Sequence, residues 1–377
     1  MIYLDNSATT FPKPLCVSEE IAKCINNYCG NPGRSSHRLS IKSAEKIYET
    51  RALLAQMFNG ETENVVFTYN TTYALNTAIK SLMVPNSHVL ISDIEHNSVL
   101  RPIVKLSNEK FCTYDIFATN GTDEEILFSI KSKLKPNTTM LACTHVSNVG
   151  SRRLPITKIG KLCKENNIIF ILDAAQSAGL YDINVKKMNI SALCFPAHKS
   201  LYGPQGAAAI IYNTDKIRST MVEGGTGINS LDENMPDFLP EMLEAGTLST
   251  PCISGWCASL KWLKSLDLSK IRAHEEDLYL TSVKCLSENN NIILYKMNSY
   301  PGNALLFNLK NKSPSFVSNY LNNNGICVRS GFHCSPLAHK TLGTLNSGAV
   351  RISFSVFNTR NEIYEFSKLI NELSSKK

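Results

Sequence analysis

No apolar run in this chain approaches the roughly 18 residues that a membrane-spanning helix requires, so no membrane association is expected. None of the twelve cysteines forms a C-x-x-C pair; Cys143, Cys163 and Cys194 instead sit in or beside apolar stretches as small core residues. No apolar leader precedes Asp5, and with so many free thiols the expected compartment is the reducing cytoplasm. Neither sign of charge dominates: 39 basic residues face 32 acidic ones, a net of +7. The basic residues are scattered as on a solvated surface, which argues against a nucleic-acid partner. There is no internal repeat and no low-complexity linker.

What the chain has is enough apolar material, 43% of 377 residues, to bury one large or two unequal cores. Short apolar runs at 65–68, 88–92, 139–144, 168–173, 192–195 and 207–212 alternate with helix-like stretches at 40–58, 72–81, 98–107, 122–133 and 155–166. That alternation predicts an α/β fold with a mostly parallel sheet, whose ligands collect at the carboxyl ends of its strands. From about Trp262 the rhythm changes to a long helix over 266–289, strands over 292–296 and 303–309, a helix over 315–323 and a strand over 349–355. The expectation is a large domain over 12–261 and a smaller α+β domain formed by 1–11 and 262–377.

The predicted strand ends carry polar residues. Thr71 and Thr72 follow the run at 65–68, Glu95-His96-Asn97 the run at 88–92, and His145 to Asn148 the run at 139–144. Asp173 and Gln176 lie in IIFILDAAQSAG (168–179), and His198 and Lys199 in CFPAHKSLYGPQG (194–206). A carboxylate able to hold a pyridinium nitrogen and an amine able to form a Schiff base are the two groups that pyridoxal 5′-phosphate needs. Threonines opening a helix offer hydroxyls and backbone N–H groups to a phosphate. Taken singly, Thr72 reads equally as a helix cap, Asp173 as the cap of a following helix, His96 and His145 as structural histidines, and Lys199 as a surface lysine.

The series of motifs resembles the cysteine desulfurase family of class V aminotransferase-fold enzymes over nearly the full length, and within it the group II and selenocysteine lyase-like members. The matching segments are YLDNSATT (3–10), THVSNV (144–149), LDAAQSAG (172–179), HKSLYGPQG (198–206), EAGT (244–247), VRSGFHC (328–334) and VRISFSVFNT (350–359). The resemblance implies a fold type I pyridoxal-phosphate enzyme working as a homodimer. It makes Lys199 the Schiff-base lysine and Asp173 the partner of the ring nitrogen. His96 would stack on the ring, and Gln176 would bond its phenolic oxygen. Thr71, Thr72 and His198 would hold the phosphate, with Thr247 reaching it from the partner subunit. Asn148, Arg351, Arg329 and His37 would bind substrate. Where relatives carry a hydroxyl residue and glycine before His-Lys, this chain has Pro196-Ala197.

Cys334 distinguishes desulfuration from transamination. The resemblance makes it the nucleophile that takes sulfur from cysteine, leaving alanine and an enzyme persulfide; His333 and Arg329 would favour its thiolate. The sulfur would pass to an acceptor protein, for iron–sulfur cluster assembly or another sulfur pathway. Three other readings stay open: selenocysteine as substrate, a transaminase or C–S lyase that does not use Cys334, and a non-catalytic protein of the same fold. No metal is expected, since His333, Cys334 and His339 supply too few clear ligands.

Overall fold

The computed structural model describes residues 1–33, 35–296 and 302–375. In chain order the elements are β1 (Ile2–Tyr3), α1 (Leu15–Asn27), α2 (Arg38–Phe58), β2 (Val65–Thr68), α3 (Thr71–Leu82), β3 (Ser87–Ser92), α4 (Asn97–Asn108), β4 (Cys112–Phe117), α5 (Asp123–Lys131), β5 (Thr138–Thr144), α6 (Ile156–Glu165), β6 (Ile169–Asp173), β7 (Ala192–Pro196) and β8 (Ala208–Tyr212). They continue with α7 (Thr250–Lys264), α8 (Leu268–Ser287), β9 (Ile292–Tyr295), β10 (Ala304–Leu309), α9 (Pro314–Asn323), β11 (Ile326–Cys327), β12 (Arg329–Gly331), α10 (Pro336–Thr341), β13 (Ala349–Ser353) and α11 (Arg360–Ser375).

Seven strands form the main sheet in the order β2-β8-β7-β6-β5-β3-β4. The pairs from β7 through β4 are parallel, whereas β8 runs antiparallel to both β7 and β2. The two reversals cancel, so β2 ends at the same rim as β7, β6, β5 and β3. Strand side chains alternate between faces, and each face has its own core. Leu141, Phe170, Leu172, Leu193 and Phe195 pack on one side with α2, α6 and α7. Met140, Ile171, Ala192 and Cys194 pack on the other with α3 and α4. The sheet is thus covered on both faces, as a parallel sheet requires.

A second sheet, β12-β13-β10-β9, is antiparallel throughout. Its core joins Leu305, Phe307, Val350 and Ile352 to Leu278 of α8, Val317 of α9 and Phe366 of α11. Ile2 and Leu4 belong to this core, and β1 pairs in parallel with β11. The amino terminus therefore lies against the last third of the chain, bringing Asp5 beside β13.

Candidate active site

A cavity of about 210 Å³ opens at the shared rim. Thr71, Thr72, His96, Asn148, Asp173, Gln176, His198, Lys199, Arg329 and Arg351 all line it. His37, Thr247 and Cys334 do not.

Lys199 leaves a tight turn closed by the Tyr202 N–H donating to its carbonyl at 2.7 Å and the Gly203 N–H donating to the Ala197 carbonyl at 2.8 Å. A β-carbon on Gly203 would stand 2.9 Å from both Ala197 Cβ and Trp256 Cδ1. Gly179 is at φ +90°, where a β-carbon would meet the Ser200 carbonyl at 2.4 Å. This close approach fastens the turn after Asp173 to the turn after Lys199, and only glycine permits it.

Asp173 is buried, with its Oδ1 accepting from the Ala175 N–H at 2.9 Å. Turns rather than a helix follow it, so it is not a helix cap. Burial raises its pKa against the opposing pull of Lys199. Burial drives the Lys199 ammonium the other way, down to about 8, because removing it from water penalises the charged form more than Asp173 supports it.

Asn70, and not Thr72, caps α3: its Oδ1 accepts from the Tyr73 N–H at 2.9 Å. Thr71 and Thr72 occupy the first turn, where backbone N–H groups lack helical partners. The Thr72 and Ser98 hydroxyls are 2.8 Å apart, and Ser98 Oγ is 2.8 Å from His96 Nδ1. His96 is itself the cap of α4, with Nδ1 accepting from the Ser98 N–H at 3.1 Å. Burial, then Lys199 and Arg329, lower its pKa to about 4, so the ring is neutral. His198 is lowered to about 3, first by burial, and its buried Nδ1 has no hydrogen-bond partner among the described residues. Gln176 donates from Nε2 to the Ser7 carbonyl at 2.9 Å.

Arg351 is fully buried in β13. Its Nη2 meets Asp5 Oδ1 at 2.7 Å, and its Nη1 donates to the Asn148 carbonyl at 2.8 Å. With Lys199 and Arg329 it gives the cavity three cationic side chains against Asp173 alone. The positive end of α3, the orphaned His198 nitrogen and this charge excess fit a group carrying a phosphate and a substrate carrying a carboxylate. Asp173 facing Lys199 fits a pyridine nitrogen and an aldehyde between them.

Cys334 is exposed beside the cavity, on a groove of about 760 Å³ between α4 and the 332–345 segment. Arg329 links the two spaces: it lines the cavity and its Nη2 donates to Cys334 Sγ at 3.6 Å. The expectation that His333 also favours the thiolate fails. Its ring is buried and neutral, its pKa driven far down by burial, and its Nδ1 is 3.1 Å from His339 Nε2.

One further expectation is corrected within this chain. His37 caps α2, accepting from the Ser40 N–H at 3.2 Å, and does not reach the cavity. Thr247, expected to act from a partner subunit, lines a different cavity of this chain, where the Asn31 amide donates to its hydroxyl at 3.4 Å. Sequence reasoning missed Asp5, Ser7 and Ser98. The first two sit in the matched segment at 3–10 and the third beside His96, so the motifs were visible without showing what these side chains touch.

A sheet of this order, with the lysine and aspartate at neighbouring strand ends, has the architecture of the class-V aminotransferases, and the family model described as "Aminotransferase class-V" matches residues 2–366. A probable cysteine desulfurase of Pyrococcus abyssi is 30% identical over 384 residues, covering 99% of this chain and 94% of the relative. One from Borreliella burgdorferi is 30% identical over 397 residues, covering 99% and 93%. The apo structure of the cysteine desulfurase from Thermococcus onnurineus NA1 superposes with a TM-score of 0.91 at 29% identity, covering 99% of this chain and 94% of that one. The chain belongs to the cysteine desulfurase family of the class-V aminotransferases.

Proposed function

We propose that the protein is a pyridoxal-phosphate-dependent cysteine desulfurase, converting L-cysteine to L-alanine and leaving the sulfur as a persulfide on Cys334. The observation that carries this is Arg329, which lines the cavity of Lys199 and Asp173 and also contacts the Cys334 sulfur. A transaminase or C–S lyase would have no use for a thiol at that place. Pyridoxal phosphate, when bound, supplies an electron sink that acidifies the substrate Cα–H and weakens the bond from Cβ to sulfur.

In this reading Lys199, Asp173 and His96 would hold the cofactor's ring. Thr71, Thr72, His198 and the first turn of α3 would hold the phosphate, a set that does not require a hydroxyl at Pro196. Arg351 and Asn148 orient the substrate, with Asp5 keeping the Arg351 fork in place. Lys199 Nζ, its pKa lowered to about 8 by burial, accepts the Cα proton in its neutral form. The Cys334 thiolate then forms a bond to the substrate sulfur. The electrons of the broken carbon–sulfur bond remain with Cβ, which takes up a proton; Lys199 returns a proton to Cα to complete alanine, and the transferred sulfur remains on Cys334 as the outer atom of a persulfide.

The groove at Cys334 leaves room for an acceptor protein to collect the sulfur, for iron–sulfur clusters or another pathway. Thr247 stands away from this chain's own cavity, which supports delivery by a second copy in a homodimer. All twelve cysteines are unpaired thiols, in keeping with a reducing cytoplasm. Purified protein given cysteine, selenocysteine, or cysteine with a keto-acid acceptor separates the readings. Alanine with sulfide from cysteine supports desulfuration; turnover of selenocysteine alone, or formation of pyruvate or of an aminated acceptor, refutes it.

A further inference from the structure

The reactive thiol is held in an unusual backbone. His333 and Cys334 are consecutive residues at φ 50° and 57°, a left-handed conformation that side-chain-bearing residues keep only where their surroundings enforce it. Two tethers act on the backbone. The Asn97 N–H donates to the Cys334 carbonyl at 2.8 Å, and Asn148 Nδ2 donates to the His333 carbonyl at 2.8 Å.

The third tether is the His333 ring, and its partners fix its proton. His333 Nε2 lies 3.5 Å from the Arg329 carbonyl, which can only accept, so this nitrogen carries the hydrogen. His333 Nδ1 is then a lone pair, and His339 Nε2 at 3.1 Å must donate to it. That leaves His339 Nδ1 to accept from the Thr344 hydroxyl at 2.7 Å. The reverse arrangement would set a nitrogen lone pair against the Arg329 carbonyl. Both imidazoles are buried, and three hydrogen bonds point one way, from Thr344 to the peptide of Arg329. The side chain of Arg329 is the one that reaches the Cys334 sulfur.

We propose that His339 is a positioning residue for the Cys334 thiol, acting through His333 to hold both the left-handed turn and the Arg329 guanidinium beside the sulfur. Neither histidine lines the cavity of Lys199 and Asp173. The inference rests on Cys334 being the sulfur-accepting thiol, but its test needs no turnover.

The test is the iodoacetamide alkylation rate of Cys334 at pH 7 in the cofactor-loaded protein, resolved by peptide mass spectrometry with exposed Cys29 as internal reference. In His339→Leu the ratio of Cys334 to Cys29 rates falls by about two- to fivefold, the scale of one exposed charge contact. His339→Gln, whose amide can donate to His333 and accept from Thr344, stays near the parent ratio. Thr344→Val, which removes the first donor but leaves both rings, falls in the same direction and serves if the leucine variant does not fold. An unchanged or increased ratio in His339→Leu overturns the proposal, as does an equal fall in His339→Gln. A failed desulfuration assay with this alkylation pattern intact would refute the activity and leave the positioning role standing.

Discussion

The sharpest quantitative consequence concerns the Lys199 amine before it captures any aldehyde. Burial lowers its pKa from 10.5 to about 8, and only the neutral amine attacks a carbonyl. At pH 7 an ordinary lysine is neutral about once in 3,000 molecules, whereas Lys199 is neutral about once in ten, a gain of roughly 300-fold. Cofactor-free protein mixed with pyridoxal phosphate should therefore capture it at a rate that climbs about tenfold per pH unit and levels off near pH 8. Borohydride trapping and peptide mapping would confirm Lys199 as the captured residue. Asp173 raises this pKa, while Arg351 and Arg329 lower it. Asp173→Asn should thus move the bend to lower pH, and Arg329→Gln should move it higher. A rate still climbing through pH 10 in the parent, or a bend that neither substitution moves, would refute the reasoning.

The segment that carries Thr247 is anchored by a buried ion pair. Arg51 meets Glu244 through two contacts of 2.9 Å, and Glu244 also accepts from the Phe67 N–H at 2.6 Å. Glu244→Ala strands a buried guanidinium and should cost about 3–5 kcal/mol in urea unfolding; adding Arg51→Met should recover most of that, and a loss below 1 kcal/mol would contradict the burial. Glu275 is buried, and desolvation raises its carboxyl from 4.5 to about 8. The folded state therefore holds a proton that the unfolded chain releases, and stability is lost as pH rises from 4.5 towards 8. Glu275→Gln should melt progressively higher than the parent between pH 5 and 9, by a few kcal/mol at the alkaline end; parallel curves would reject this. His145, lowered to about 3 chiefly by burial, acts in the opposite sense, losing stability as pH falls below 6.5.

Much of the main sheet was legible because β2, β3, β5, β6, β7 and β8 are short apolar runs bounded by turn residues. β4 was not: CTYDIF sits at the sheet edge with its centre only partly covered, so its pattern is broken by Thr113 and Asp115. It also interrupts the supposed succession of five strand ends and adds nothing to the cavity. α11 had a readable signal in the spacing of Ile363, Phe366, Ile370 and Leu373, all buried against the second sheet, though it lies beyond the last site motif and carries no site residue. Eight of the expected site residues meet in one cavity because strand-end chemistry follows from chain order, and Arg329 and Arg351, which the family resemblance supplied, join them from the second sheet. The side-chain network around them does not: Asp5 on Arg351 and Asn148 on His333 join segments far apart in sequence, and no local pattern reveals such partners. The conversion of His37 and Asn70 into helix caps is a local effect, by contrast, with each side chain accepting from the backbone N–H three residues ahead.

The central claim is that Cys334 takes the sulfur. A single turnover of cysteine on pyridoxal-phosphate-loaded protein, followed by amino-acid analysis and peptide mass spectrometry, tests it directly. The account predicts one alanine per active site and a gain of one sulfur atom on the peptide containing Cys334, and from Cys334→Ala a protein that still binds the cofactor but forms neither product. Alanine formed by Cys334→Ala at the parent rate would contradict it.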